Sequence, residues 1–310
     1  MKSEMILKKT NIQGCGKRKS GKVRDSYTDS NRMILITTDR ISAFDVVLGY
    51  IPQKGQVLNL LSQFWFENTV DIIENHMISV PHPNVMVVKK AEQIPVEMVV
   101  RGYITGVTNT SIWGSYAKGE RKIYGIQFPD GLIKNQKLKK PVITPTTKPE
   151  SGHDERLERD DIISKKIVPE KIYKQMEKVS LELFKRGQKI ASRNGLILVD
   201  TKYEFGLIDG KLVLIDEIHT PDSSRFWIKK TYSKKFKEGL EPDNFDKEFL
   251  RLWYKERGYT GDGKPPVMTS DFVQQVNTRY VEIYEMLTNK KFVFEKSCDN
   301  ESIQKVLNTL

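Results

Sequence analysis

The chain has 310 residues, 38% hydrophobic and 29% charged, with a formal net charge of +11 and a mean hydropathy of −0.49. That length supports a sizeable core, in one large domain or in two ordinary ones sharing a cleft. The composition excludes the disordered and membrane-embedded classes, and the longest apolar runs, such as Leu196–Val199 and Leu212–Ile215, are strand-sized, far short of the roughly 20 residues of a membrane helix.

The opening Met1-Lys2-Ser3-Glu4 lacks the apolar stretch of a signal peptide. Cys15 and Cys298 stand at opposite ends with no CxxC spacing, so reduced thiols and a cytoplasmic setting are expected. A basic chain attracts polyanions, but the lysines are dispersed and no zinc-finger, RNA-binding or zipper signature accompanies them. The charge reads first as a solvated surface, then as a site for phosphorylated substrates, and last as nucleic-acid binding.

In chain order, Arg32–Thr38 reads as a strand, Gln56–Asn68 as a helix with Val57, Leu60, Leu61 and Phe64 on one face, and Val85–Lys89 and Val96–Arg101 as two further strands. Residues 118–168 are rich in Gly, Pro, Lys and Thr and read as a long irregular segment, hence functional or a lid. Pro169 opens a long helix that Asn194-Gly195 closes. A β-hairpin over Leu196–Leu207 and Lys211–Ile218 turns at Asp209-Gly210, helices occupy the last eighty residues, and the polar tail after Phe294 is expected to fray.

The hairpin carries the strongest chemical signal. Alternation puts Asp200, Lys202 and Glu204 on one strand face. A two-residue loop pairs Lys202 with Glu217 and turns Asp216 away, whereas a three-residue loop pairs Lys202 with Asp216; we expect the second, because it gathers three carboxylates and a lysine. Carboxylates clustered at the end of an apolar strand need a cation, and Mg2+ completed by phosphate oxygens is one solution, a polar strand face with a Lys–Asp pair another. The glycine-rich, basic Gly14–Asp25 segment offers backbone N–H groups with Lys22 and Arg24 to a triphosphate, but lacks Walker A spacing and reads equally as a surface turn. Thr38–Asp45 leaves a strand with Ser42 and Asp45, either a site or turn chemistry. Arg101 ends an apolar strand and either pairs with a carboxylate or grips a phosphate. His153 and Asp154 fall in the irregular segment without a nucleophile motif, and Pro221–Arg225 is placed to fold back over the acidic hairpin.

Taken together, these words resemble one family, the phosphoribosylaminoimidazole-succinocarboxamide (SAICAR) synthetases. The resemblance rests on Gly21-Lys-Val-Arg-Asp25, Asp39-Arg-Ile-Ser-Ala-Phe-Asp45, Val100-Arg-Gly-Tyr-Ile-Thr-Gly106, His153-Asp-Glu155, Leu198–Gly206 and Asp216-Glu217 with Pro221–Arg225, in order over roughly residues 14–294. Phe245–Arg251 and Arg279–Glu285 look like the family's longer form. The protein-kinase words His-Arg-Asp and Asp-Phe-Gly are absent, which sets aside a kinase-like phosphotransferase.

The resemblance implies an α+β fold: an antiparallel N-terminal β domain (residues 1–95), a larger mixed α/β C-terminal domain (96–294) and the cleft between them, followed by the tail 295–310. It implies a ligase that uses ATP and Mg2+ to join L-aspartate to 5-aminoimidazole-4-carboxylate ribonucleotide (CAIR), as a monomer or homodimer with neither nucleic acid nor membrane as partner. Carried onto this sequence, Gly21, Lys22 and Arg24 would hold ATP phosphates, and the connection from Lys89 and Ala91 to Glu97 would take the adenine. Glu204 and Asp216 would ligate magnesium, and Lys202 would stand between phosphoryl group and substrate carboxylate. Arg101 and Arg225, helped by Ser111, would grip the ribonucleotide phosphate. Ser42, Asp45 and Lys54 would line the CAIR and aspartate end with His153 and Asp154 nearby, and Asp200 and Asp222 would orient neighbours or the substrate amine.

Overall fold

The computed structural model describes residues 6–106, 110–148, 155–245 and 247–310. Strands β1 (Lys17–Ser20), β2 (Arg24–Thr28) and β3 (Arg32–Thr37) lead to the short pair β4 (Arg40–Ala43) and β5 (Val46–Tyr50), then to α1 (Lys54–Glu67), β6 (Met77–His82) and β7 (Val85–Lys89). These build an antiparallel sheet in the order β1-β2-β3-β7-β6, with β4–β5 as a separate hairpin. Strand β1 is exposed throughout and reads Lys-Arg-Lys-Ser, and charge on an edge strand discourages further pairing. The basic run before the glycine loop is therefore surface.

The second sheet starts at β8 (Glu92–Gln93) and β9 (Val96–Ile104). Helix α2 (Ile112–Ala117), β10 (Lys122–Ile123), β11 (Ile126–Gln127), β12 (Gln136–Ile143), β13 (Thr146–Thr147) and α3 (Arg159–Ser164) follow, then α4 (Glu170–Arg193), β14 (Leu196–Ile208), β15 (Lys211–Ile215) and β16 (Ser224–Ile228). Its path is β12-β9-β14-β15, with β13 on β9 and both β16 and β8 on β14. Strand β8 pairs through Gly206, where a Cβ would come within 2.8 Å of the Ala91 Cβ, so glycine permits the approach. The chain ends in α5 (Lys229–Lys237), α6 (Glu248–Lys255), α7 (Ser270–Thr288) and α8 (Asn300–Leu307).

One apolar cluster runs from α1, through Val57, Leu61 and Trp65, to α4, β14 and α7. The amphipathic stripe of α4 buries Met176, Val179 and Leu183 against that core. The architecture is the expected α+β class with antiparallel sheets.

Two expectations are corrected here. Residues 118–168 are not structureless: β10 to β13 and α3 occupy much of the described part, because Ile123, Phe128 and Leu138 bury against Ile104 and Ile112. The polar tail does not fray either. Ile303 and Leu307 of α8 are buried with Leu7, Ile12 and Tyr27 beneath the first sheet, and Asn300 and Gln304 accept hydrogen bonds from the backbone of Asn11 and Gln13 at 2.9 and 2.7 Å. Two apolar residues four apart suffice to dock a short helix whose remaining positions are polar.

His219 sits in this core against Trp65, with Nε2 hydrogen-bonded to the Tyr203 hydroxyl. Burial pushes its imidazole down to about 3. A histidine lowered in the folded state favours folding above its unfolded value near 6.5, and that contribution is lost as pH falls from 6.5 toward 3. Between pH 7 and 5 its share is about 2 kcal/mol. His219→Gln should lose stability over that interval by about that much less than the parent in urea unfolding; identical pH dependence in both proteins would contradict this role.

Candidate active site

Three neighbouring strands set out the site. On β14, Asp200, Lys202 and Glu204 share a face, as alternation requires. The register places Asp200 beside Arg101 of β9 on one flank and Arg225 of β16 on the other, with Lys202 beside Val99. Glu97 of β9 follows on the same face as Val99 and Arg101. A cavity of about 390 Å3 opens over this surface, lined by Glu97, Arg101, Asp200, Lys202 and Arg225 among others, a volume suited to a small metabolite.

At one end the cavity holds a seat of two guanidiniums. Asp200 Oδ2 lies 3.5 Å from Arg101 Nη1 and accepts from Arg225. Arg101 also donates to Thr144 Oγ1 at 2.8 Å and to the Thr110 carbonyl at 3.0 Å. Burial pushes the Arg101 guanidinium below its ordinary range, with Asp200 opposing. Two guanidiniums thus share one carboxylate. Gly106 packs against this seat: a Cβ there would fall 2.7 Å from the Ser111 Cβ and 3.0 Å from Arg225 Nη2, and its φ of +97° suits glycine. Ser111 lies buried behind, where its hydroxyl caps α2 by accepting from Gly114 N at 3.1 Å; Thr110, not Ser111, lines the cavity.

The middle of the site is acidic and bridged by lysine. Lys202 Nζ stands 2.9 Å from Glu97 Oε1 and 3.9 Å from Asp216 Oδ2, and it donates to Glu204. Glu204 also accepts from Lys148 and from Gln93 at 3.1 Å, and Asp216 and Glu217 both pair with Arg24. Burial works against the charge of Lys202, but Glu97 and Asp216 outweigh it and hold the ammonium above its usual range. Burial alone would raise Asp216; Arg24, Lys148 and Lys202 instead hold it well below the usual carboxylate range. Glu217 goes the other way, pushed up by burial.

Asp216 reaches this cluster by an unexpected route. Ile208 pairs with Lys211, so the hairpin loop is the two-residue Asp209-Gly210, not the three-residue loop. Both loop residues have positive φ, 51° and 73°, as a type I′ turn requires. That register alone would point Asp216 away from Lys202. But β15 ends at Ile215, and Asp216 adopts a left-handed φ of 66° that breaks the alternation and returns its carboxylate to Arg24 and Lys202. Aspartate tolerates that region better than most non-glycine residues, so the break is accommodated without a glycine.

At the far end, Asp222 Oδ2 lies 2.9 Å from Lys54 and 3.0 Å from Lys247, while Tyr280 donates to Oδ1 at 2.6 Å. Lys54 is fully buried at the start of α1, and burial pulls its ammonium down. Phe44 and Asp45 form the two-residue turn between β4 and β5 with φ of 51° and 63° and line the cavity; Asp45 pairs with Lys22 of the glycine loop. Ser42 is buried in β4 behind this turn.

The glycine loop is a tight hairpin between β1 and β2, closed by Gly21 N donating to the Arg24 carbonyl at 2.7 Å. It brings Lys22 and Arg24 to the cavity edge. Lys89 is exposed at the end of β7, and Ala91 follows in the connection to β8. Glu97, expected in the adenine connection, belongs instead to the lysine-bridged cluster, because it projects from β9 on the Arg101 face. His153 and Asp154 lie outside the described residues. Sequence alone assigns no role to Lys148, Lys247, Arg251 or Glu217. Glu217 stood beside Asp216, and Lys247 with Arg251 fell within the quoted Phe245–Arg251 word; Lys148, in a lysine-rich segment, carried no distinguishing signal.

A lysine-bridged acidic cluster that reaches, through Glu97 and Lys202, a cavity also lined by Arg101, Arg225, Lys247 and Arg251 defines an enzyme of small, multiply anionic substrates. Comparison with known proteins narrows this class. Residues 17–266 match the SAICAR synthetase family. The chain is 49% identical over 284 residues to the phosphoribosylaminoimidazole-succinocarboxamide synthase of Legionella pneumophila, covering 91% of each chain. It is 50% identical over 254 residues to the chloroplastic enzyme of Vigna aconitifolia, covering 82% of this chain and 74% of that one. Among solved structures, the SAICAR synthase of Saccharomyces cerevisiae complexed with SAICAR superposes with a TM-score of 0.80 at 32% identity, covering 93% of this chain and 100% of that one. A SAICAR synthetase in complex with ADP superposes at 0.68 with 25% identity, covering 90% and 100%. The chain belongs to the SAICAR synthetase family, the ATP-dependent ligases that join L-aspartate to CAIR in purine biosynthesis.

Proposed function

We propose that residues 1–95 supply the nucleotide side and residues 96–294 the substrate side of one cavity in which CAIR is phosphorylated on its carboxylate and then captured by L-aspartate. The observation that carries this reading is that Lys202 bridges Glu97, Glu204 and Asp216 on the face of β9 and β14 that also carries Arg101 and Asp200, the carboxylate paired with Arg225. A carboxylate resists nucleophilic attack because it is already anionic. Transfer of the γ-phosphoryl group of ATP gives an acyl phosphate and ADP; the aspartate amine then attacks the acyl carbon, the C–O bond to phosphate breaks, and the amine loses a proton as the amide forms.

Arg101 and Arg225 would hold the ribonucleotide phosphate as planar forks, with Asp200 fixing both between the strands. Lys202 would face the substrate carboxylate and the incoming phosphoryl group, neutralising charge where it accumulates. Lys22 and Arg24 would meet the triphosphate from the glycine hairpin, and adenine would lie against the backbone of the Lys89–Ala91 connection. Asp222, held by Lys54 and Tyr280, would orient the amine end together with Asp45.

Among the described residues no group of three or more His, Cys, Asp or Glu is arranged to hold a metal unaided. Magnesium at phosphoryl-transfer sites commonly takes one or two carboxylates and leaves its other positions to water and substrate phosphate. Glu204 and Asp216 fit that demand, as hard oxygen donors converging on the Lys202 ammonium. Bound there, Mg2+ would offset charge on the transferring phosphate. Mg-ATP at 100 times its dissociation constant should stabilise the protein by about 2.7 kcal/mol, and Glu204→Ala should remove most of that gain in a thermal-shift experiment. Full protection in the variant would overturn the magnesium assignment.

A further inference from the structure

Asp25 follows Arg24 on β2 but is fully buried and lies outside the cavity lining. Alternation turns its carboxylate to the face opposite the Arg24 side chain. Five donors converge on it. Oδ1 accepts from Ser20 Oγ at 2.7 Å and from Arg40 Nη2 at 2.8 Å, while Oδ2 accepts from Thr10 N at 2.8 Å, Thr10 Oγ1 at 2.9 Å and Arg18 Nη2 at 3.1 Å. A carboxylate offers about four lone-pair sites, so this one is saturated. Burial works against its charge, but the hydrogen bonds from Arg40, Ser20 and Thr10 hold it down at about 2.

The donors come from separate parts of the chain. Arg18 and Ser20 belong to β1, and Ser20 stands directly opposite Asp25 in the ladder. Arg40 of β4 uses the same Nη2 to donate to the Gly21 carbonyl at 3.0 Å, at the tip of the glycine hairpin, and its Nη1 donates to the Lys8 carbonyl at 2.8 Å. Thr10 precedes the residues that α8 holds through Asn300 and Gln304. One buried group thus joins both limbs of the hairpin, its tip and the N-terminal segment. Strand β1 is exposed throughout and pairs only with β2, and a two-stranded ribbon is marginal by itself. Resting on the nucleotide-side reading above, we infer that Asp25 is a positioning residue for ATP: through Ser20, Arg18 and Arg40 it fixes the glycine hairpin, so that Lys22 and Arg24 meet the triphosphate in one geometry. A loop ordered before binding spares the complex the cost of ordering it.

The test measures the affinities of Asp25→Asn, Ser20→Ala and Ser20→Thr for Mg-ATP and for adenosine by calorimetry, with melting temperatures and the KM values for CAIR and L-aspartate alongside. Asparagine keeps the shape of Asp25 but turns an amide N–H2 toward donors, and alanine at position 20 removes one strap while every buried charge stays paired. The Kd for Mg-ATP should rise about tenfold or more in Asp25→Asn and about threefold or more in Ser20→Ala, while Ser20→Thr, which keeps the hydroxyl, stays within about twofold of the parent. Adenosine has no phosphates for the hairpin to meet and should bind each variant as it binds the parent, and neither KM should move by more than about twofold. Should Asp25→Asn melt far below the parent, the two Ser20 variants decide. An unmoved Kd for Mg-ATP in folded Asp25→Asn or in Ser20→Ala, or an equal loss for adenosine, would overturn the inference and leave the nucleotide-side reading intact. No Mg-ATP binding by the unsubstituted protein would overturn that reading and this inference with it.

Discussion

Lys202→Met should lower kcat by on the order of 10^3, with a much smaller change in the affinity for ATP. Removing one preorganised donor aimed at developing charge typically costs 10^2 to 10^3 in rate, and Lys202 carries a full charge amid Glu97, Glu204 and Asp216. Its ammonium touches Glu97 and Glu204 and lies 3.9 Å from Asp216. Without it, Glu97 keeps, among the described residues, only Thr146 as a side-chain hydrogen-bond partner, at 3.3 Å, while Glu204 retains Lys148 and Gln93. Breaking a buried ion pair costs about 3–5 kcal/mol, but the Lys202 side chain is 30% exposed, so the loss of stability should fall toward or below the low end. Lys202→Arg should recover stability more fully than rate, because a planar fork restores the charge without the point geometry. A kcat for Lys202→Met within tenfold of the parent would remove this lysine from the chemistry.

Arg225→Met should raise the KM for CAIR by between ten- and a hundredfold. Hydrogen bonds to charged groups contribute about 1.5–3 kcal/mol, and each 1.4 kcal/mol is tenfold in affinity. Arg225 is the better probe of the pair, since Arg101 also supports Thr144 and the Thr110 carbonyl from within the sheet. The diagnostic comparison uses CAIR stripped of its 5′-phosphate. The parent enzyme should bind this nucleoside poorly, and Arg225→Met should bind it no worse than the parent does. A variant that weakens both substrates equally would place Arg225 in the fold instead of on the phosphate.

Much of this site could be read from residue order because strands impose a period of two. Asp200, Lys202 and Glu204 share a face for that reason alone, and the apolar runs around them made β14 and β15 unmistakable. Asp216 shows where such reasoning stops: the expected three-residue loop brings it to the Lys202 face, the observed two-residue loop would turn it away, and one left-handed residue puts it back. Nothing in the local sequence announces a positive φ at an aspartate. Arg101, Asp200 and Arg225 come together through the pairing of β14 with β9 and β16, and sheet order is a property of the whole chain. The docking of α8 depended on Ile303 and Leu307 alone, too sparse a pattern to rank above a polar tail. The region around β12 looked irregular because its lysines and prolines mask a strand that pairs along only one side with β9.

The most direct test of the account follows one oxygen atom. If the CAIR carboxylate is activated as an acyl phosphate, the oxygen that bridges carbon and phosphorus leaves with phosphate when the amine attacks. CAIR labelled with 18O in its carboxylate, turned over with ATP, Mg2+ and L-aspartate, should deliver one 18O atom to each inorganic phosphate released, with one retained in the new amide. Phosphate released without label, or ADP formed at the same rate when CAIR is omitted, would contradict carboxylate activation in this cavity.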